Sequence, residues 1–557
     1  MVMKSMMIVR RSWLVFGVVA LIAAWWIVRL IEAPGYTDVF YHYNAAVRVA
    51  NGQGFTEPYL WTYIGAPDRL PESGVFPSHL YWMPLTSLSA AVGLALFGGD
   101  YAAAQIPFTL MLVGTGLIGF WLGNRIGGSL RHAWMAGLIT LFSGFYTRFW
   151  GTIDTFAPFA LAGSACLVMM GLLRNQPPPP IPLPAGREGA KDAPISNERE
   201  RVGRAKPLQA ALIGGMLAGI AHLTRADGLL FVIVGVMVVL WGVRPHSPTS
   251  SPPAERGRNA LLLIVALIGG YGVVMLPWAV RNIAEINAPL PLGGTQAAWF
   301  RSYDDLFDYP PVNTPETLFA DGVGGFIDSR WVALTNNLGT FIAVEGMIVL
   351  APLMLIGLWV RRRDPFLTPF WLYALGLHMA FTLVFPFPGY RGGLLHSAAA
   401  LVPFWAALGA AGLDDVIGWI ASRRRRWRAA TARLIFSAAL VAYAVGLSVW
   451  IGSRGRVIAT DQVPELYRTI SEVMPDDARV LINDPAMLYT FTGLGGAVIP
   501  NESPDVIPEI ADRYAITHVV IEPAGLPAPM QTVLTNPPTF LREIARAGEV
   551  IVYEIDN

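Results

Sequence analysis

The stretch Gly35-Tyr-Thr-Asp38-Val-Phe-Tyr41-His42-Tyr43-Asn44-Ala-Ala-Val-Arg48 sets one carboxylate beside aromatic and basic groups just after an apolar run. Chemistry is expected in that loop, where lipid would meet water. If a helix starts at Asp38, positions 39, 43, 46, 47 and 50 form an apolar stripe, and 38, 41, 42, 45 and 48 share the opposite face. Asp38, His42 and Arg48 would then point toward water or a ligand. The plainer alternative is that Asp38, following Thr37, caps an interfacial helix and favours its positive end.

Such a loop needs elements to hold it, and composition says what they are. The chain has 557 residues, is 54% hydrophobic and 14% charged, and carries a formal net charge of +1. Apolar runs fall near 14–31, 101–122, 133–149, 155–173, 208–224, 227–244, 259–280, 337–360, 366–385, 393–413 and 433–451. These are about eleven candidate spans, each close to the length that crosses a hydrocarbon core. The expected fold class is a polytopic α-helical membrane protein with a small C-terminal α/β domain. Lys4, Arg10 and Arg11 precede the first run and no small-residue cleavage site follows it, which reads as an uncleaved anchor. Nucleic acid is not an expected partner. The single cysteine, Cys166, sits in an apolar run and cannot form an intrachain disulfide.

Basic residues gather at Arg125 and Arg131, between Arg174 and Lys206, from Arg244 to Arg258, at Arg361 to Arg363 and at Arg423 to Arg428. The positive-inside rule assigns all of these to the cytoplasm, and eleven spans with the N-terminus inside put them there. A twelfth apolar run, Tyr81 to Gly99, would reverse every later cluster if counted, so an outer interfacial or re-entrant helix is expected there. The same parity sends Asp38, the turn Arg148 to Asp154, Arg225, the loop from Arg281 and the turn at Arg391 to one external face. Two segments, 174–207 and 246–258, read as disordered cytoplasmic linkers because they are rich in proline, charge and small residues. The expected division is a membrane domain over 1–452 and an extracytoplasmic α/β domain over 453–557. The latter has strand candidates at Val480-Leu-Ile, Ala497-Val-Ile, His518-Val-Val-Ile and Glu549-Val-Ile-Val-Tyr, and helix candidates at Pro464 to Val473 and Val506 to Tyr514.

Asp38-x-x-Tyr41-x-Tyr43 followed by Gly52-x-Gly54-Phe55 resembles the first external loop of GT-C glycosyltransferases. The likeness is to bacterial members related to protein O-mannosyltransferases and lipid A aminoarabinose transferases. Further matches are Leu223-Thr-Arg225-Ala-Asp-Gly228, Pro277-Trp278-x-x-Arg281-Asn282 and Gly389-x-Arg391-Gly-x-x-x-His396, in order along the membrane region. The resemblance implies transfer of a hexosyl or pentosyl unit from a polyprenyl-phosphate carrier, with inversion, to a lipid, glycan or protein acceptor outside the cytoplasm. It implies Asp38 as the base that takes the acceptor proton, and Asp154 as the second acidic position, orienting substrate. The leaving phosphate then calls for cations. Arg281, Arg391 and His396 lead, with Arg225, Arg148 and His42 behind them, because guanidinium geometry suits phosphate oxygens. Each arginine also reads as an interfacial residue snorkelling to headgroups, and His396 as a structural hydrogen bond.

A divalent cation is compatible with two acidic turns on one side, though no ligand spacing demands it. Glu345, inside an apolar run, requires a partner such as Arg391, or protonation between helices. His378 and His222 read as structural. Tyr59, Trp61, Tyr63, Tyr81, Trp82, Trp150 and Trp299 read as an interfacial belt contacting membrane lipids, or as rings that stack on sugar or isoprenoid. Asn483-Asp484-Pro485 and Thr492-Gly-Leu-Gly-Gly496 are too weak a pattern for a nucleotide site. The rival class is a multi-span transporter or flippase, which tends to internal repeats and midplane sites. No repeat is visible, and the polar groups cluster toward one face.

Overall fold

The computed structural model describes residues 2–174, 195–242, 253–320, 322–424, 426–454 and 463–556. Every apolar run becomes helix, because a chain with no water around it must satisfy its backbone polar groups internally. Among the described residues, eight helices are long and apolar enough to cross a membrane, or up to nine if a pair bent by 93° at Gly322–Glu345 and Leu350–Arg361 is one span. The first helix, α1 (Val2–Val28), is among them. The number is smaller than the apolar runs because some of those runs are cut short. Ala226–Gly242 falls under the length test, and run 133–149 divides into Leu130–Leu141 and a 3₁₀ turn at Gly144–Arg148. The chain is thus a multi-pass membrane protein.

Burial sorts these helices. Pro386–Arg423 has 89% of its apolar window inside the structure and forms the central post. Phe370, Phe404 and Trp405 pack there, with ring centroids of 4.9 Å and 4.7 Å about Phe370. Helices Arg256–Ile286 and Ala429–Arg454 have only 22% buried and expose Val273, Leu276, Leu434 and Ile435, as faces turned to lipid must. Glu345 is buried, and its partner is His378, at 3.0 Å, with the Trp405 indole donating at 2.9 Å; Arg391 is not the partner. His222 meets the Tyr271 hydroxyl at 2.7 Å.

The first loop folds as α2 (Thr37–Ala50), then short strands β1 (Thr56–Glu57), β2 (Tyr59–Leu60) and β3 (Phe76–Pro77), then α3 (Leu85–Phe97). The run Tyr81 to Gly99 is therefore a short apolar helix rather than a full span. Most of α2 is covered, while Asp38, Tyr43 and Val47 are half-buried. Val39, Tyr41, His42, Ala45, Ala46 and Arg48 are all buried, because α3 covers one side and helix Pro485–Thr492 of the tail another. Arg48 is a tie within this layer, donating to the Thr56 carbonyl at 2.9 Å and hydroxyl at 2.8 Å.

The tail builds β4 (Arg479–Ile482), β5 (Gly495–Val498), β6 (His518–Ile521), β7 (Leu541–Ala547) and β8 (Val550–Ile555). Four of these strands lie at the sequence-predicted positions; β7 was not read from the sequence. The sheet order is β2-β5-β4-β6-β8-β7, parallel from β2 to β6 and antiparallel beyond. Strand β2 comes from the first loop, so loop and tail share one sheet and one side. Gly496 is required there, since a Cβ would collide with the Val480 carbonyl. Residues 175–194 of the first expected linker lie outside the described residues, and helix Ile195–Thr224 begins within the rest of it. Of the second expected linker, 246–252 lies outside the described residues and helix Pro253–Ile286 starts within its end.

Candidate functional site at the head of the first loop

Asp38 enters the second position of α2, whose N-cap is Tyr36 with no side-chain cap. Asp38 therefore makes no side-chain cap, although it stands in the first turn, where a carboxylate favours the helix's positive end. Asp154 arrives from the loop before helix Phe156–Arg174, 1% exposed, and His396 from the short helix Leu394–Ala398. A kink at Gly392, with φ of 133°, turns that helix, and a residue with a Cβ would be strained there. One ligand atom from each of Asp38, Asp154 and His396 lies within 4.8 Å of the others.

The surroundings fix two of the three. The Tyr36 hydroxyl donates to Asp154 Oδ2 at 2.5 Å, and the Thr155 amide to Oδ1 at 2.5 Å. His396 stacks on Phe156 with centroids 4.0 Å apart, and its Nδ1 meets the Thr155 hydroxyl at 2.8 Å and Asp154 Oδ1 at 3.6 Å. Burial pushes the Asp154 carboxyl up, but His396, His42, the Tyr36 hydroxyl and the Thr155 amide outweigh it and hold the group below its usual range. Asp38 goes the other way. Burial first, then the charge of Asp154, raise it to about 8, with Arg225 opposing and Asp484 adding to the rise. Two neighbouring carboxylates of which one keeps its proton are suited to proton exchange or to sharing a cation.

Arg225 follows helix Ile195–Thr224 and is held from Nε by Asp227 and the Ser397 hydroxyl, both at 3.1 Å, while Ser397 also donates to Asp227. Arg391 lies over the Tyr303 ring at 4.8 Å, and Tyr303 is within electrostatic reach of both Asp38 and Arg391. His42 is fully buried; its Nδ1 meets Ser87 Oγ at 2.9 Å, and it is within reach of Asp154, His396 and Arg225. The structure thus gathers Asp38, Asp154, His396, Arg225 and His42, with Arg391 at the margin. Arg281 is not gathered. It donates to the carbonyls of Phe55 and Ser78 at 3.2 and 3.0 Å and to Asn282 at 3.0 Å, and lines a separate cavity of about 320 Å³ with Glu285, Thr56 and Pro77. Arg148 is exposed over Phe145 and Phe149.

Sequence reading missed Tyr36, Thr155, Ser397 and Asp484. The Asp484 carboxylate accepts from Thr37 Oγ1 at 2.7 Å while its other oxygen caps helix Pro485–Thr492 through the Met487 amide at 2.9 Å. An Asp before Pro is a general helix-start signal, but nothing in the sequence joins this pair to the first loop. Two carboxylates and one imidazole at this spacing are a donor set that suits a divalent ion of borderline softness. The carboxylate repulsion that raises Asp38 is what such an ion would relieve.

No protein-family model matches the chain, and no curated protein matches it by sequence. Solved structures do match. ArnT from Cupriavidus metallidurans bound to undecaprenyl phosphate aligns with a TM-score of 0.53 at 15% identity, over 97% of each chain. The oligosaccharyltransferase AglB from Archaeoglobus fulgidus, in complex with an inhibitory peptide and a dolichol-phosphate, aligns with a TM-score of 0.54 at 14% identity, over 91% of this chain and 69% of that one. The same archaeal enzyme in complex with Zn and sulfate aligns with a TM-score of 0.53 at 13% identity, over 91% and 67%. The chain therefore has a GT-C glycosyltransferase fold.

Proposed function

We propose that the protein transfers a sugar from a polyprenyl-phosphate donor to a hydroxyl or amine of a lipid, glycan or protein acceptor, on the extracytoplasmic side of the membrane. In this reading the acceptor heteroatom attacks the anomeric carbon from the face opposite the phosphate and gives its proton to Asp38. The C–O bond to phosphorus-bound oxygen breaks, and the polyprenyl phosphate departs with the electron pair. A hexosyl or pentosyl unit is transferred with inversion. Asp154, held by Tyr36 and Thr155, keeps its charge and orients substrate. Arg225 and Arg391, with His396, meet the growing phosphate charge. Asp38, Asp154 and His396 are the residues that would hold a divalent ion, which when bound supplies Lewis-acid stabilisation of phosphate oxygens. Arg281 lies outside the gathered cluster, bonded to the Phe55 and Ser78 carbonyls, and this reading does not draw on it.

The observation that carries the reading is the convergence, within 4.8 Å, of side chains from three distant segments, one carboxylate raised and its neighbour lowered. The fold shared with enzymes bound to undecaprenyl phosphate and dolichol-phosphate supports the donor class. Extracytoplasmic placement is supported by the basic clusters, which lie at the other end of the helices from Asp38. The test is to incubate purified protein with a panel of undecaprenyl-phosphate hexoses and pentoses and to follow release of undecaprenyl phosphate together with a glycosylated product. Release with product supports transfer. Movement of intact donor across vesicles without chemistry would favour a flippase.

A further inference from the structure

The turn Asn483-Asp484-Pro485 follows β4, and Glu522-Pro523-Ala524-Gly525 follows β6, the parallel neighbour of β4. From β4 the chain runs through helix Pro485–Thr492 to β5 on one side, and from β5 it returns through helix Ile507–Tyr514 to β6 on the other. The two helices cover opposite faces of the sheet: Leu488 packs with Val480 and Ile482, whereas Ile507 and Ile510 pack with Leu481, Val519 and Ile521. Connections that part in this way splay the two loops at the carboxyl ends of the strands, which is where open α/β sheets take their ligands. The loops stand close across the gap, since a Cβ on Gly525 would lie 3.8 Å from Asn483 Nδ2. The gap also lies beside the carboxylate cluster, because Asp484 at its edge accepts from Thr37, the neighbour of Asp38.

Three polar side chains here have no hydrogen-bond partner among the described residues: the Asn483 carboxamide, the Glu522 carboxylate and the Tyr467 hydroxyl. Tyr467 comes from helix Glu465–Val473, is 3% exposed, and is fixed by stacking on Phe491 with centroids 5.2 Å apart. Its hydroxyl is within electrostatic reach of both Glu522 and Asp484. A phenol enclosed to this degree ordinarily has a partner for its hydroxyl. Burial and then the charge of Asp484 raise the Glu522 carboxyl above its usual range, and among the described residues no ion pair holds either acid. The set is chemically mixed. Asn483 offers two donors and an acceptor, Tyr467 one of each, and ionised Glu522 acceptors only. Neighbouring hydroxyls of a sugar, each both donor and acceptor, can meet all three. An ammonium only donates and would leave the Asn483 donors unmet; a phosphate only accepts and would face two acids, so a nucleotide does not suit this gap. We propose that the gap between the ends of β4 and β6 binds the hydroxylated rings of the acceptor, with Asn483, Glu522 and Tyr467 as its contacts, and that the acceptor is therefore a glycan. The acceptor role rests on the transferase reading, whereas the carbohydrate site can be tested apart from it.

The test uses the full chain in detergent, the undecaprenyl-phosphate sugar that the wild type turns over, and three kinds of acceptor probe: methyl hexopyranosides with their monodeoxy analogues, a peptide containing serine and threonine, and a long-chain alcohol. Transfer to the glycosides and not to the peptide or the alcohol is expected. Tyr467→Phe, which keeps the ring on Phe491, and Glu522→Gln, which keeps the volume, should each raise the acceptor KM about tenfold, as loss of one hydrogen bond implies, with the donor KM unmoved. The loss in Tyr467→Phe should vanish on the one monodeoxy glycoside that lacks the hydroxyl Tyr467 meets, a result that a merely structural role would not give. Asn483→Ala, on a half-buried turn, serves if neither of the others folds. Transfer to peptide or alcohol but to no glycoside, folded variants with the wild-type acceptor KM, or an equal Tyr467→Phe loss on every deoxy analogue overturns the glycan assignment and leaves the transferase reading in place. Absence of turnover by the wild type on every donor overturns the transferase reading instead. Saturation-transfer NMR then decides the site by itself: methyl hexopyranoside contacts seen with wild type and lost in Glu522→Gln support it, and their absence with wild type overturns it.

Discussion

Thr37 donates its hydroxyl to the Asp484 carboxylate at 2.7 Å across 447 positions of chain, and so fastens the head of α2 to the tail domain one residue away from Asp38. The C-terminal region is thereby part of the site rather than an appendage. Its charge is felt as well, because Asp484 helps raise the Asp38 carboxyl. Asp484→Asn keeps a cap oxygen for Met487 but removes the charge, so Asp38 should ionise at lower pH. The expected outcome is a pH–rate profile whose acidic limb moves down by a fraction of a unit, with stability nearly unchanged. Asp484→Ala should in addition cost about 1 kcal/mol through the lost cap.

The pH dependence has a definite sign. A proton acceptor must be ionised, and the Asp38 carboxyl is raised to about 8 by burial and by Asp154. Activity without added metal should therefore rise with pH through about 8, whereas an unperturbed carboxylate would have levelled off far below that. A divalent cation favours the ionised form, so Mn²⁺ or Mg²⁺ should move the rising limb to lower pH and chelation should move it back. Profiles of kcat/KM with and without chelator check this.

Glu57 supplies a stability test apart from chemistry. Burial raises its carboxyl to about 8, against the opposing Tyr41 hydrogen bond and the charges of Arg281 and Arg48, and its Oε2 has no partner. A group whose folded-state value is raised stabilises fully below its unfolded value near 4.5 and loses that contribution as pH climbs toward 8. Glu57→Gln should remove this slope. Thermal unfolding in detergent should show the variant gaining on wild type between pH 5 and 8, by on the order of 1 to 3 kcal/mol at the upper end.

The Glu345–His378–Trp405 triangle joins three helices inside the membrane region. Glu345→Ala leaves a buried imidazole and an indole N–H without an acceptor, at a cost of about 1 to 3 kcal/mol. The unfolding midpoint should fall, and the ratio of activities on different sugars should stay the same, since among the described residues no hydrogen bond or ion pair joins this triangle to Asp38.

Much of the fold could be read from composition alone, because a membrane-spanning helix declares itself by length and apolarity. The tail strands were equally readable as short β-branched runs. Where a run is interrupted was harder to read: run 133–149 turns through a 3₁₀ segment at Gly144–Arg148, and run 337–360 breaks at Met347 and Ile348, both at positive φ, and neither break carries a proline or a glycine pair that would mark it. At the site, Asp38, Asp154, His396 and Arg225 were named by type, by parity and by the resemblance to GT-C glycosyltransferases. Their distances could not be, since they belong to four segments joined only by packing. Arg281 was grouped with them on the strength of the same parity, yet it lies behind Tyr41 and His79, a depth that side-of-membrane arguments do not resolve. The expectation that His42 and Arg48 face water failed for a related reason: α3 and helix Pro485–Thr492 from the far end of the chain cover them.

The most direct measurement is a single-turnover assay of wild type and Asp38→Asn with an undecaprenyl-phosphate sugar that the wild type consumes. Asparagine keeps the shape of the side chain and cannot take the acceptor proton. Transfer should slow by about 10²-fold or more while the lipid donor still binds and the protein still unfolds at its normal temperature. An Asp38→Asn enzyme that transfers sugar at the wild-type rate would contradict the central role given to this carboxylate.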